Sequence, residues 1–198
     1  MKKFKHTVLT CLFVSGSAIA GNSPARAAVN LLQNGSFETG NLSNWIESGN
    51  PAWTYVYSAT MGYGAQDGSF YLHEGPQSGF EDTLSQTFSD IAGQTLLVSG
   101  WVVSDGSQPS EVLFKFNGET QVKINPVPNQ PWTQYTFTVT ATGTDTFAVT
   151  FRNDPSFSGL DNFSVTAIPE PSACVLLATG FSATSVYARR KKASALKV

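Results

Sequence analysis

Between residues 28 and 168 the chain has one histidine, His73, and no cysteine, because Cys11 and Cys174 both lie in its apolar ends. A zinc site of His and Cys, a thiol nucleophile and a disulfide are therefore excluded for that body. A Ser-His-Asp relay would have to run through His73, and no Gly-x-Ser-x-Gly elbow accompanies it. His73-Glu74 does not extend to His-Glu-x-x-His. Glycosidases need two carboxylates at a set separation. With 13 acids in the body some pair meets that by chance, so Glu81-Asp82 carries no signal. The chain reads as a protein that is not an enzyme. Its patterned chemistry is aromatic. Trp53, Tyr55 and Tyr57 alternate, which on a strand puts rings on one face roughly 7 Å apart. Tyr63 stands in a glycine-rich turn, Gly62-Tyr63-Gly64. Sugar rings stack on such faces. The competing reading is a core row, since aromatics are good strand formers.

Charge narrows the partners. Of 12 Lys and Arg, four lie at or before Arg26 and five at or after Arg189, leaving Lys115, Lys123 and Arg152. Of 14 acids only Glu170 lies outside the body, so 3 bases face 13 acids, a net of −10 against −2 for the whole chain. Such a body does not bind nucleic acid through phosphates. It suits cation binding or solubility outside a cell.

The elements that must position these residues are strands. Tyr135, Phe137 and Val139 alternate with polar neighbours, as do Phe147, Val149 and Phe151, and Val112, Phe114 and Phe116. Leu96–Val103 is more continuously apolar, like a central strand. Further strands are predicted at Trp53–Ser58, Ser69–His73, Thr83–Phe88, Gln121–Ile124 and Asp161–Ala167. Turn chemistry separates them at Gly62–Gly64, Gln66–Gly68, Asp105-Gly106, Asn117-Gly118, Pro126–Pro131, Gly143 and Asn153–Gly159. About nine short strands in one domain predict an all-β, two-sheet sandwich. Asp161 shares its alternation with Phe163 and Val165, which puts a carboxylate on an inward row. That is costly unless the group is paired or bound to metal.

Asn30-Leu-Leu-Gln-Asn-Gly-Ser-Phe-Glu38 with Trp45, Asp67–Leu72, Leu84–Phe88 with Gly93, and Gly159-Leu-Asp-Asn-Phe-Ser-Val165 resemble the opening, middle and closing strands of galactose-binding-like jelly rolls. These include carbohydrate-binding modules related to families 4, 9 and 22. The resemblance implies a jelly roll over residues 28–167. It also implies a structural calcium between Glu38 and Asp161, whose alternative is a capping Asp161 and a solvated Glu38. Fold does not name a ligand.

The two ends read as targeting segments. Met1–Lys5 is basic, Thr7–Ala20 is apolar, and small-x-small sites end at Ala20 and Ala27, so residues 1–27 form a signal peptide. Near the C-terminus, Ser172–Ala188 is 17 residues long, roughly 25 Å of helix against roughly 30 Å of hydrocarbon. The cations after it prefer the cytoplasm, leaving 193–198 as a cytoplasmic tail. Pro169-Glu170-Pro171, that apolar run and Arg189-Arg190-Lys191-Lys192 resemble the PEP-CTERM sorting tag of bacterial surface proteins, here over 168–192. The resemblance implies an exosortase-type enzyme as partner and transient anchoring in the inner membrane. An ordinary single-pass anchor is the alternative. The whole then reads as an exported protein of the cell surface or matrix, binding polysaccharide through Trp53, Tyr55, Tyr57 and Tyr63. The alternative is an adhesive matrix protein with no discrete ligand.

Overall fold

The computed structural model describes residues 28–75, 80–154 and 156–169. The signal segment and the tail from Glu170 onward, with Pro171, Arg189 and Arg190, lie outside the described residues, while Pro169 is exposed at their end. Among the described residues no helix is long and apolar enough to cross a membrane.

Ten strands follow in order: β1 (Ile46–Gly49), β2 (Thr54–Ser58), β3 (Phe70–Glu74), β4 (Asp82–Ser89), β5 (Thr95–Asp105), β6 (Ser110–Phe116), β7 (Glu119–Ile124), β8 (Asn129–Thr140), β9 (Thr144–Asn153) and β10 (Ser158–Ala167). They form two five-stranded sheets, β1-β4-β9-β6-β7 and β2-β3-β10-β5-β8. Every pairing is antiparallel. All nine predicted strands are present. The unpredicted one, β1, is four residues at a sheet edge with β4 as its one partner, too short to show a period. Trp53 is not in β2 but closes a 3-10 turn, Pro51–Trp53. The turn predicted to run to Pro131 ends sooner, because β8 begins at Asn129. Pro131 is tolerated there because β8 is an edge strand. The Asn117-Gly118 signal holds: both residues have positive φ (49° and 84°) and join Phe116 directly to its partner Glu119.

The inward rows of both sheets meet in one core. Phe163 of β10 packs against Phe37, Trp45, Phe114 and Phe147 with ring centroids 6.0, 5.9, 5.6 and 5.5 Å away. The opening segment is tied to the same strand. The Asn30 side chain donates to the Phe163 carbonyl (3.0 Å) and accepts from Val165 N–H (2.9 Å), and Leu31 N–H donates to the Val165 carbonyl (2.8 Å). A bulge between Asp161 and Ser164, with Asn162 at φ 50°, resets the alternation of β10. Leu160 and Phe163 both face inward as a result, and Asp161 does not. The sequence reading of Asp161 as part of the Phe163–Val165 row is thereby corrected: one extra residue moved it to the opposite face.

Asp145 ties two hairpins together. Its carboxylate accepts from Asn117 Nδ2 (2.7 Å) at the β6–β7 turn and from Thr142 N–H (2.8 Å) and Oγ1 (2.5 Å) before β9. Burial pushes this carboxyl up, but the Asn117 and Thr142 donors outweigh it and bring it down to about 2 from 3.8. The folded value lies below the unfolded one, so the stability it contributes is present above the unfolded pKa and is lost as pH falls through about 2. Asp145→Ala is expected to cost about 1–3 kcal/mol at neutral pH. Melts of the full chain from neutral to strongly acidic pH should show a shallower acid-side decline in the variant; identical acid limbs would reject this role.

Candidate functional site

In β2 the pleat turns Thr54 and Val56 inward and Tyr55 and Tyr57 outward. In β3, Leu72 joins the core while Tyr71 and His73 share the outer face with the two tyrosines, since Tyr55 pairs with His73 and Tyr57 with Tyr71. The aromatic row is therefore neither a core row nor a set of rings laid side by side. It is a stack. Tyr55 lies on Tyr57 (centroids 6.0 Å, 27° between planes), Tyr57 on His73 (4.3 Å, 6°), and His73 on Phe157 from the loop before β10 (4.4 Å, 23°). Tyr57 and His73 thus have rings on both sides. Tyr55 at the open end is 41% exposed and Trp53, two residues earlier in the chain, 39%, leaving ring surface free for a ligand. Tyr55 Oη is held by the Ala52 carbonyl (2.6 Å), which fixes the ring relative to the turn that carries Trp53.

The connection after β2 folds over this face and brings Tyr63 to it. Buried Tyr71 donates its hydroxyl to the Met61 carbonyl (3.0 Å) and accepts from Tyr63 N–H (3.0 Å). Gly62 passes so close that a Cβ would lie 2.2 Å from Tyr71 Oη, and its φ is +55°. Only glycine fits that crossing. Tyr63 donates its own hydroxyl to the Phe157 carbonyl (2.8 Å), clasping the far end of the stack. Burial raises the Tyr63 and Tyr71 phenols and lowers the His73 imidazole to about 4, so these groups are neutral across ordinary pH. Of the four residues proposed from sequence, Tyr55, Tyr57 and Tyr63 lie on one face, with Tyr57 covered, while Trp53 stands in the turn that precedes β2.

Sequence reading missed His73 and Phe157 as partners of this cluster. His73 was legible only as a lone histidine and Phe157 as a loop residue, and their meeting depends on β3 lying beside β10. Trp132 stands edge-on to Tyr71 (5.9 Å, 88°) on the same outer face.

Glu38 and Asp161 converge on a single turn. Glu38 accepts from Ser69 N–H (2.9 and 3.0 Å, one to each oxygen) and Phe70 N–H (2.9 Å). Asp161 Oδ2 accepts from Gln66 N–H (2.9 Å) and Asp67 N–H (3.2 Å), and its Oδ1 from Asn162 N–H (2.6 Å). Asp161 is fully buried beneath that turn. Burial raises its carboxyl to about 7; the three N–H donors pull it down, and the charge of Glu38 adds to the rise. Glu38 is exposed yet not merely solvated, because its carboxylate caps the turn that leads into β3. Among the described residues no group of three or more His, Cys, Asp or Glu side chains is placed to hold a metal.

No protein-family model matches the chain, and no curated protein matches it. Solved structures do. The chain is similar to the carbohydrate-binding module TmCBM61, solved in complex with β-1,4-galactotriose, with a TM-score of 0.59 and 21% identity over 71% of this chain and 99% of that one. It is similar to the enzymatically active domain of tailspike protein 4 of bacteriophage CBA120 (TM-score 0.54, 16% identity, 70% of this chain and 21% of that one). It is also similar to the K2 cleaved adhesin domain of Lys-gingipain (TM-score 0.50, 16% identity, 73% and 99%). These likenesses show the fold alone, a two-sheet jelly-roll sandwich.

Proposed function

We propose that the body of this chain is a non-catalytic carbohydrate-binding domain of an exported bacterial surface or extracellular-matrix protein. The observation that carries the reading is Tyr55, exposed at the open end of a ring stack on the outer face of a jelly roll similar to a sugar-binding module, with exposed Trp53 two residues before it in the chain. The stack fixes the rings before a ligand arrives, which limits the ordering cost of binding. The body's net charge of −10 favours neutral glycans. Titration of the full chain against neutral polysaccharides, β-1,4-galactan first, is expected to show binding that Trp53→Ala, Tyr55→Ala and Tyr63→Ala each weaken by roughly 3- to 10-fold. Trp53→Ala and Tyr55→Ala should lower the melting temperature far less than loss of a core aromatic would, since both side chains are partly exposed and lie outside the core. Similarity to an adhesin domain supports the second reading, an adhesive matrix protein. Folded protein with no affinity for any glycan on an array would favour that one.

Export and sorting belong to the same proposal. Pro169-Glu170-Pro171, the apolar run and Arg189–Lys192 support recognition by an exosortase-type enzyme, with the chain held in the inner membrane until it is processed. Intact mass of the surface-released protein is expected to lack residues 1–27 and the segment after Pro171. A released form that retains Ser172–Val198 would replace sorting with a plain anchor.

A structural calcium at Glu38 and Asp161 is supported by the convergence of the two carboxylates on the 66–70 turn and by the mutual repulsion a cation would relieve. Their oxygens already accept backbone N–H groups, so further ligands would have to be backbone carbonyls. Calcium is expected to raise the melting temperature of the full chain relative to chelator, and Asp161→Ala to reduce that response. Equal melts in chelator and in calcium would remove the metal.

A further inference from the structure

The interior turns from apolar to polar at the end where β3 leaves one sheet and β4 enters the other. Thr54, Glu74 and Ser158 are register neighbours across β2, β3 and β10, and all point inward. Asp82 faces them from β4, with Glu47 of β1 beside it and Asn153 at the end of β9. Glu74 has no exposed surface; among the described residues neither of its carboxylate oxygens has a partner in hydrogen-bond geometry, and the Ser158 hydroxyl is the donor beside it. Asn153 is 1% exposed; its Nδ2 donates to Ser158 Oγ (2.8 Å) while its Oδ1 has no partner. Glu47 Oε1 is also buried and unpartnered. Asp82, with no exposed surface, accepts from Thr54 Oγ1 (2.7 Å) and Thr83 N–H (2.8 Å).

Among the described residues the charged groups at this end of the interior are Glu47, Glu74 and Asp82, all of one sign. The bases of the body are elsewhere: Lys123 pairs with Glu111 (3.2 Å) on the outer face of the β6–β7 hairpin, and Lys115 and Arg152 share that outer face. His73 lies on the opposite face of β3. Protons are one way to serve these oxygens: one on Glu74, one shared by Glu47 and Asp82, and the Ser158 hydroxyl turned to Glu74 would supply three O–H donors to the oxygens of Glu47, Glu74 and Asn153, and a cation is the other. Buried acceptors without donors are costly. Burial raises Glu74 to about 8, with the Ser158 hydroxyl pulling it down and the charge of Asp82 adding to the rise; burial, then the charge and hydrogen bond of Asp82, raise Glu47 to about 7.

We propose that this end of the sandwich holds a hard divalent cation, calcium, between the sheets, with the carboxylates of Glu74 and Asp82 and the Oδ1 of Asn153 as its side-chain ligands. An all-oxygen set that mixes carboxylate and amide is calcium's chemistry. One ion neutralises two buried charges and occupies several orphaned acceptors at once. The set is two carboxylates with an amide, and Glu47 stands behind Asp82 as its neighbour; three acids do not have to converge. The site is distinct from the Glu38–Asp161 pair and does not depend on any sugar. It does bear on the aromatic face, because Thr54 and Glu74 directly adjoin Tyr55 and His73 in β2 and β3. A cation here would fix the strands whose other side carries the rings.

Calcium binding to the full chain, read by isothermal titration and by thermal melts in calcium and in chelator, tests the site. Glu74→Gln is expected to weaken binding at least about tenfold and to remove most of the calcium-dependent rise in melting temperature. Melted in chelator, Glu74→Gln should be about as stable as the parent, because the amide replaces a carboxyl that burial already favours in its neutral form. Asn153→Ala should weaken binding by about tenfold and serves where Glu74→Gln does not fold. Asp161→Asn should leave this binding in place. No calcium binding by the parent chain would overturn the proposal and leave protons and water to satisfy Glu74. Binding lost in Asp161→Asn yet unchanged in Glu74→Gln or Asn153→Ala would overturn it too, placing the ion at the Glu38–Asp161 pair.

Discussion

The seat of Phe163 is the constraint on which the rest of this sandwich depends. The ring touches aromatic side chains from the opening segment, β6 and β9, so it joins both sheets and the N-terminal approach in one contact set. Its neighbours are shaped around it. A Cβ on Gly100 would lie 2.4 Å from the ring, and one on Gly35 would lie 2.1 Å from the Phe163 carbonyl. Glycine at these positions is a matter of space, since close packing leaves no slack for even a methyl group. The bulge just before Phe163 serves the same seat, because without the extra residue Leu160 and Phe163 could not both point into the core.

That bulge has a second effect, on the outer side of the sheet. It turns Asp161 outward, under the turn at 66–67, where its carboxylate collects three N–H donors. Glu38 grips the other end of the same turn. The connection between β2 and β3 is thus pinned by two acids at its base and by Tyr71 and Gly62 at its crest. The aromatic stack lies on the same sheet. Its order comes from backbone that is fixed on several sides, and the ring positions are set by the sheet before any ligand is present.

β2 and β3 have opposite chemistry on their two sides. Outward are Tyr55, Tyr57, Tyr71 and His73; inward, at the end, are Thr54 and Glu74 among oxygens of the other sheet. Neighbouring positions on a strand point to opposite faces, so a polar interior and an aromatic exterior share the same few residues of chain. The likeness to TmCBM61 extends to the fold, while the residues on these faces belong to this chain.

Much of the architecture was legible in the residues alone. Period-2 runs and turn signals such as Asn117-Gly118 pointed to an all-β sandwich, because alternation and turn chemistry are local properties. Composition excluded thiol and zinc chemistry, and the position of nine of the 12 bases at the two ends showed how acidic the body is. The short edge strand β1 was not legible, since four residues carry no period. Nor was the face of Asp161, because a bulge is defined against a partner strand and shifts every later residue by one. The stacking of Tyr57 on His73, the arrival of Phe157 and the meeting of Glu74 with Asp82 and Asn153 needed strands far apart in sequence to become neighbours. Types and alternation of residues determined which side chains were available. Only the tertiary structure decided which of them are exposed, which are covered, and which buried oxygens are left without a donor.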